Sequence, residues 1–413
     1  MPARAKSPTE KKPTRTRAAS KKAAAPPLFA AENAPSPPAR LREIVGQAQP
    51  VSYLRSLLSA RRLANAYLFH GPWGVGKMRA ALAFAAGMLC ANQADDACGE
   101  CEHCRKVLRL QHPDLRLLFP VSGEESELDA GIAETLQNLA QDPLFVFTYE
   151  KAASIRISRT RELLRELSFR PYEADRRVVI VRDADRMRSD QYSALLKSLE
   201  EPGQSTVWIL TTSRSQRLPD TVRSRCLKVR FGLLPEEEIE SFLKSRGGVA
   251  ADRARLLAVV SAGSLGRAIV WRDEDIGAAR DEALEMLRPA LAGDTGAVLQ
   301  QASGVARGWN RERMRRVLEF QLLWVRDVLR LRYGADPETL VNRDRAADLQ
   351  RAAEKVNLSE LKRRLAVLEE IGRAVEGNVN PEVAFFSGLA RLGRIVENDT
   401  GDWPAPRFSA LTI

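Results

Sequence analysis

The chain has no run of eighteen apolar residues, so no segment of it reads as a membrane-spanning helix. Its N-terminus lacks the short apolar core of a secretion signal. No internal repeat is visible, which sets aside solenoids and arrays. Cysteine is scarce and unevenly placed: of five, four lie between Cys90 and Cys104 and only Cys226 stands apart. A hydroxyl is missing where one is expected. "HGPWGVGKMRAAL" (His70–Leu82) follows the phosphate-gripping pattern G-x-x-x-x-G-K, but Met78 stands where Ser or Thr should follow the lysine.

What is present is enough for two or three domains: 413 residues, 44% hydrophobic and 28% charged. The net charge of +11 suggests nucleic acid until it is located. Of the 64 basic and 53 acidic residues, residues 1–40 hold nine and two, a surplus of +7 that leaves +4 for 41–413. That tail is rich in Pro, Ala, Lys and Ser. It is acid-poor like an organelle transit peptide, but reads as a solvated, disordered linker with some non-specific attraction to acidic partners.

Beyond the tail, Pro50 suits the first position of a helix running to about Arg62. "AYLFHG" is a short apolar strand entering the glycine loop, and the Ala-rich segment after Lys77 is helical. A loop between a strand and a helix N-terminus is the context that phosphate binding requires. Arg176–Ala184 and Ser205–Ser213 are near-continuous apolar runs, the pattern of strands buried on both faces of a parallel sheet. Between them lies a helix with Ser189 as cap and Pro202-Gly203 as stop, and another helix begins at Ser158 and ends before Pro171. Alternating strands and helices give a doubly wound α/β domain. From Pro235 onward only helical patterns remain, including one with Val317, Phe320, Trp324, Val328 and Leu331 on a single face, a core stripe.

In the loop, Gly71, Gly74 and Gly76 can bring backbone N–H groups to phosphate, and Lys77 can reach the β- and γ-phosphates. Met78 cannot replace the Mg²⁺-binding hydroxyl, because a thioether is soft and Mg²⁺ takes hard oxygens. "VVIVRDADRM" holds the carboxylates for the other side of the metal, Asp183 and Asp185, and spacing from the loop does not choose between them. The cysteines Cys90, Cys98, Cys101 and Cys104 fall at C-x7-C-x2-C-x2-C, which suits a closed, structural tetrahedral zinc. A disulfide or an iron–sulfur cluster are the competing readings, and His103 and His112 are available substitutes.

The glycine loop, the four-cysteine module, "ALLKSLEEP" and "LPDTVRSRC" together resemble the bacterial DNA polymerase III clamp loader, an AAA+ assembly. Within it the chain looks like the delta-prime branch rather than the ATP-hydrolysing gamma/tau branch. The resemblance is strong over about 41–270 and includes "IVGQ", "QHPD" and "ANAYLFHGPWGVGK", with Asn65 where a His is usual. "NVNPEVAFFSGLARL" is similar to the final collar helix. It implies a disordered tail (1–40), an AAA+ α/β domain (41–232) with the zinc module at 90–104, a helical lid (233–292) and an all-α collar (293–413).

By the same resemblance Arg225 is an arginine finger presented to a neighbouring subunit's ATP, and Arg267 is the second sensor of the lid. Registering on "ALLKSLEEP" aligns the metal-binding Asp with Arg182 and the water-orienting Glu with Asp183. The resemblance therefore implies a cytoplasmic subunit of the DNA-directed DNA polymerase III holoenzyme. It would have structural Zn²⁺, no Mg²⁺ site, doubtful ATP or ADP binding and no ATPase activity of its own. Its partners would be the gamma/tau and delta subunits, the beta sliding clamp and, through the complex, primed DNA. An active gamma/tau-type ATPase would need a hydroxyl at 78 and an acid at 182. A zinc-stabilised DNA-binding scaffold outside replication would make Arg225 dispensable and binding dependent on the tail. The segment Val121–Ser154, longer than the family leads one to expect and partly acidic, has no evident role.

Overall fold

The computed structural model describes residues 40–92, 94–123, 128–142, 144–149, 153–200, 205–292, 294–309, 311–376 and 379–394. The basic tail and Pro202-Gly203 lie outside them. Helix α1 (Ala48–Ser59) precedes β1 (Ala66–His70), and the glycine loop leads into α2 (Lys77–Leu89). α1 starts two residues before Pro50, which is tolerated because first-turn N–H groups have no intrahelical partner. Next come α3 (Glu102–Leu108), β2 (Leu115–Leu118), α4 (Leu128–Gln141), α5 (Ile157–Glu166) and β3 (Arg177–Val181). They are followed by α6 (Ser189–Glu200), β4 (Thr206–Thr212), α7 (Asp220–Arg223) and β5 (Leu227–Arg230). Two helix starts shift slightly. Ser189 is the first helical residue of α6 rather than its cap, and α5 starts at Ile157, before Ser158.

The five strands form one parallel sheet in the order β2-β3-β4-β1-β5. β3 and β4 are buried along their whole length, as their unbroken apolar runs require. β2 and β5 are four residues each and alternate with Arg or Lys, so they occupy the edges and gave no strand signal in the sequence. Gln47 stitches the entry segment to the exit of β5. Its Nε2 donates to the carbonyls of Gly232 (2.8 Å) and Val75 (3.2 Å).

The rest is helical: α8 (Glu236–Ser245), α9 (Ala251–Val260), α10 (Leu265–Val270), α11 (Ile276–Leu291), α12 (Thr295–Gly308), α13 (Arg311–Arg332), α14 (Ala346–Lys355), α15 (Leu358–Glu376) and α16 (Pro381–Arg394). The α13 stripe is core as expected: Val317, Phe320 and Val328 are buried, and Trp271 stacks on Phe320 at 4.9 Å. Two segments link this region to the sheet domain. Gly266 N–H donates to Gly74 O (2.8 Å), and Ser264 Oγ donates to Trp73 O (2.9 Å).

Candidate functional site

The glycine loop turns through the left-handed region at Gly74 (φ 77°) and Gly76 (φ 96°). A side chain at Gly74 would collide with Ser264 Oγ, 2.3 Å from its Cβ position, so glycine is needed there on two counts. Gly76 caps α2, and Lys77 is its first residue. Lys77 Nζ does not stand open to a ligand. It donates to Gly71 O (2.8 Å), Pro72 O (2.5 Å) and Ser213 Oγ (3.2 Å). Burial pushes its pKa down to about 8, so it remains mostly protonated at neutral pH. Met78 is buried in the core and offers the cleft no oxygen.

The cleft wall at the end of β3 is filled by the chain itself. Arg182, at the end of β3, lies with its guanidinium 3.9 Å from the Phe147 ring centre. Its Nε sits 3.3 Å from both Asp183 Oδ2 and Tyr149 Oη. The Tyr149 hydroxyl donates to Asp183 Oδ2 at 2.8 Å. Burial disfavours the Asp183 carboxylate, but Arg182 and Tyr149 outweigh it and hold its carboxyl below the usual range. Burial raises the Tyr149 phenol, so it stays protonated and can donate. Asp185 instead accepts from Thr212 Oγ1 (2.5 Å), while Asp183 lies on the cleft wall.

Phe147 and Tyr149 belong to the long segment whose role was not evident from the sequence. Arg79 of α2 anchors that segment, donating to Leu139 O (3.2 Å) and Asp142 O (2.7 Å) at the end of α4. The available signal was the aromatic alternation Phe145, Phe147, Tyr149. The remaining cleft, walled by Val45, Gly76, Phe147, Arg182 and Leu265 among others, measures about 130 Å³. Ordinary small-molecule pockets begin near ~300 Å³.

The two arginines differ in placement. Arg225 follows α7, is exposed, and donates from Nη1 to Thr221 O (2.8 Å). Arg267, on α10, is not brought to the cleft wall. Its Nε and Nη2 form a two-point pair with Glu319 of α13, both at 3.0 Å, and Nη1 donates to Ser261 O (2.7 Å).

Where α2 ends and α3 begins, the four thiols converge. Cys90 and Cys101 sulfurs are 3.9 Å apart, those of Cys98 and Cys104 3.8 Å, and all four lie within 4.8 Å of one another. Tetrahedral zinc with Zn–S near ~2.3 Å separates its sulfurs by about 3.8 Å, so the set fits a closed metal site. Backbone N–H groups of Cys98, Cys101 and Cys104 donate to neighbouring sulfurs at 3.3–3.5 Å, as stabilised thiolates need. All five cysteines are unpaired by disulfide. His112 Nδ1 accepts from Asp114 N–H (3.0 Å), which puts its proton on Nε2 to donate to His103 Nδ1 (2.8 Å). The two histidines thus satisfy each other rather than joining the thiols.

Asp114, fully buried, fixes the loop leading into β3 by accepting from the backbone N–H groups of Tyr172 (2.6 Å), Glu173 (2.8 Å) and Ala174 (2.9 Å). Burial raises its pKa, but these three bonds prevail and hold it below the usual value. The Asp114 contribution is therefore complete above an unfolded-state pKa near ~3.9 and is lost as pH falls through the lower folded value. Asp114→Ala should cost about 3 kcal/mol at pH 7, read by urea unfolding, with the gap to wild type closing in acid. An equal cost at pH 7 and pH 3 would contradict this role.

Five parallel strands in this order, with a glycine loop before α2 and helical elements packed on that loop, define an AAA+-type α/β fold. A family model described as DNA polymerase III, delta subunit, matches residues 46–234, and one described as DNA polymerase III, delta subunit, C terminal, matches 278–393. The chain belongs to this DNA polymerase III delta-subunit family, on its delta-prime branch. It is 27% identical to the DNA polymerase III subunit delta' of Bacillus subtilis (strain 168), over 81% of this chain and 92% of that protein. Against the delta' subunit of Pseudomonas aeruginosa it is also 27% identical, over 67% of this chain and 75% of that protein. The tau/gamma subunit of Haemophilus influenzae is 30% identical over 50% of this chain, which spans only 26% of that longer protein.

Proposed function

We propose that the chain is a non-hydrolysing subunit of the DNA polymerase III clamp loader that completes a neighbour's ATPase with Arg225. The observation that carries this reading is the Arg182 site. A cation, braced by Asp183, Phe147 and Tyr149, stands where a hydrolysing subunit needs a metal-binding acid. Met78 removes the metal's other protein ligand, and Lys77 is occupied with the loop's own carbonyls. Arg225 is exposed just after the short helix α7, where a guanidinium can meet the γ-phosphate of another subunit and stabilise charge in the transition state. In this reading residues 41–232 are the nucleotide-binding-like domain, 233–292 the lid and 293–413 the collar. The collar joins gamma/tau and delta, and the complex places the beta clamp on primed DNA. The test is reconstitution: the wild-type chain should support clamp loading with gamma/tau and delta, and omitting it should abolish loading. Full loading without this chain would contradict the assignment.

We further infer that the four cysteines hold zinc. Cys90, Cys98, Cys101 and Cys104 would complete its shell, and the ion would tie the end of α2 to α3. The purified chain should contain close to one equivalent of zinc by elemental analysis. A chelator should lower its unfolding midpoint, and added zinc should restore it. Absence of zinc from protein purified without chelators, or a mapped disulfide within the cluster, would overturn the assignment.

A further inference from the structure

The cysteine module reaches a loop that carries none of its sulfurs. Cys104 lies on α3, and its backbone N–H donates to the Cys101 sulfur at the helix start (3.4 Å). At seven residues α3 is far shorter than the ~12–15 at which a helix is even marginal alone, so its anchors decide its place. Val107 is buried in the core, and the first turn is held at the sulfurs. Two side chains run from α3 toward the loop between α5 and β3. Lys106 Nζ donates to both oxygens of Glu173, at 2.9 and 2.8 Å, as well as to Glu102 on its own helix (2.8 Å). His103 Nδ1 accepts from His112 Nε2 (2.8 Å), and His112 Nδ1 accepts from the Asp114 N–H (3.0 Å). The Asp114 carboxylate then takes the N–H groups of Tyr172, Glu173 and Ala174.

An unbroken path of hydrogen bonds thus runs from a helix that supplies a metal ligand, through a histidine pair, to the backbone of a distant loop. His112 and Asp114 are 2% and 0% exposed, so water cannot take over a bond that either loses, and displacing one member unsettles the next. The loop displays two rings. Phe169 is 74% and Tyr172 83% exposed, the most exposed large apolar side chains among the described residues, and they flank Arg170 and Pro171. Rings so exposed are not positioned by core packing. Backbone bonds place them instead: those to Asp114, and those from Arg177, which donates to Glu166 O (2.8 Å) and Arg170 O (3.1 Å).

We propose, given the zinc site inferred above, that the metal state of the four cysteines sets the order of the Phe169–Ala174 loop, acting through His103–His112–Asp114 and Lys106–Glu173. With all four sulfurs on the ion, the first turn of α3 is fixed and both ties are in place. Without it the short helix frays from that end. His103 and Lys106 lie within two residues of Cys104, so they move first, and the loop loses what steadies Asp114 and Glu173.

The test is amide hydrogen exchange of the full chain, read by mass spectrometry before and after zinc is stripped with a chelator, with zinc measured on each sample. In stripped protein the amides of Tyr172, Glu173 and Ala174 should exchange about tenfold or more faster, while those of β4 keep their rates. Added zinc should restore the slow exchange. The double variant His103→Ala/Lys106→Ala should still carry zinc, and its loop should exchange fast whether loaded or stripped. Lys106→Ala alone cuts only an exposed ion pair and should accelerate the loaded loop by about two- to fivefold. Equal loop rates in loaded and stripped wild type would overturn the proposal. So would acceleration shared equally by β4, which marks general loss of stability, or a double variant that responds to chelation as wild type does. A chain purified without zinc fails the zinc assignment and this proposal together, whereas bound zinc with an unresponsive loop fails this proposal alone.

Discussion

Replacing Arg225 by Ala should leave the chain folded and assembled while removing most of the DNA-stimulated ATP hydrolysis at one site of the reconstituted complex. The residue is exposed, and its Nη1 donates to the nearby Thr221 O, so its guanidinium is not part of the apolar core. Its neighbour Cys226 is buried. Loss of an arginine finger costs about 10³-fold or more in a single-site enzyme, and unaffected sites dilute that figure in a multi-site assembly. Arg225→Lys should rescue poorly, because an ammonium lacks the planar fork that engages two phosphate oxygens. Zinc content and the thermal midpoint should match wild type in both variants. Steady-state ATPase and clamp-loading assays on complexes built with each variant give the answer, and wild-type rates with Arg225→Ala would rule out the finger.

Arg182→Ala should be the most destabilising single change at the cleft. The guanidinium, the Asp183 carboxylate and the Tyr149 hydroxyl form one buried cluster, with Phe147 stacked across it. Removing the cation leaves the buried Asp183 without its nearest positive charge, with the Tyr149 phenol and the weaker fields of Arg186 and Lys77 still acting on it. Breaking such a buried pair costs about 3–5 kcal/mol. Urea unfolding at pH 7 should show this, and part of the loss should be recovered in acid, where the stranded carboxylate can take a proton. The same variant should gain no ATP turnover, nor should Met78→Thr, since each leaves the other side of the metal site missing. The cluster would thereby be structural, a brace for the segment that carries Phe147 and Tyr149. Unchanged stability in Arg182→Ala, or Mg²⁺-dependent turnover by Met78→Thr alone, would contradict this.

The sequence disclosed the parts of the fold whose signal is local. β3 and β4 announce themselves because strands buried on both faces are apolar throughout, and the glycine loop because its backbone conformation demands glycine. β2 and β5 were hidden, since four-residue edge strands interrupted by Arg116, Lys228 and Arg230 look like loops. The cysteine cluster was readable from spacing alone, because two C-x2-C steps constrain the backbone so tightly. The roles of Phe147 and Tyr149 were not readable. They lie more than thirty residues from Arg182 and Asp183, and only folding brings the rings onto the charges. Arg267 shows the same limit from the other side. Its motif position suggested the nucleotide cleft, whereas a partner 52 residues away, Glu319, takes its guanidinium instead.

The central claim is that this chain keeps the nucleotide-binding fold and serves a neighbour's reaction rather than its own. The most direct measurement compares Lys77→Ala and Arg225→Ala within the same reconstituted clamp loader, following DNA-stimulated ATP hydrolysis and clamp loading together. The account predicts near wild-type rates with Lys77→Ala, whose ammonium is engaged with Gly71 and Pro72 carbonyls, and a severe loss with Arg225→Ala. The opposite pattern, loss with Lys77→Ala and full rates with Arg225→Ala, would contradict it.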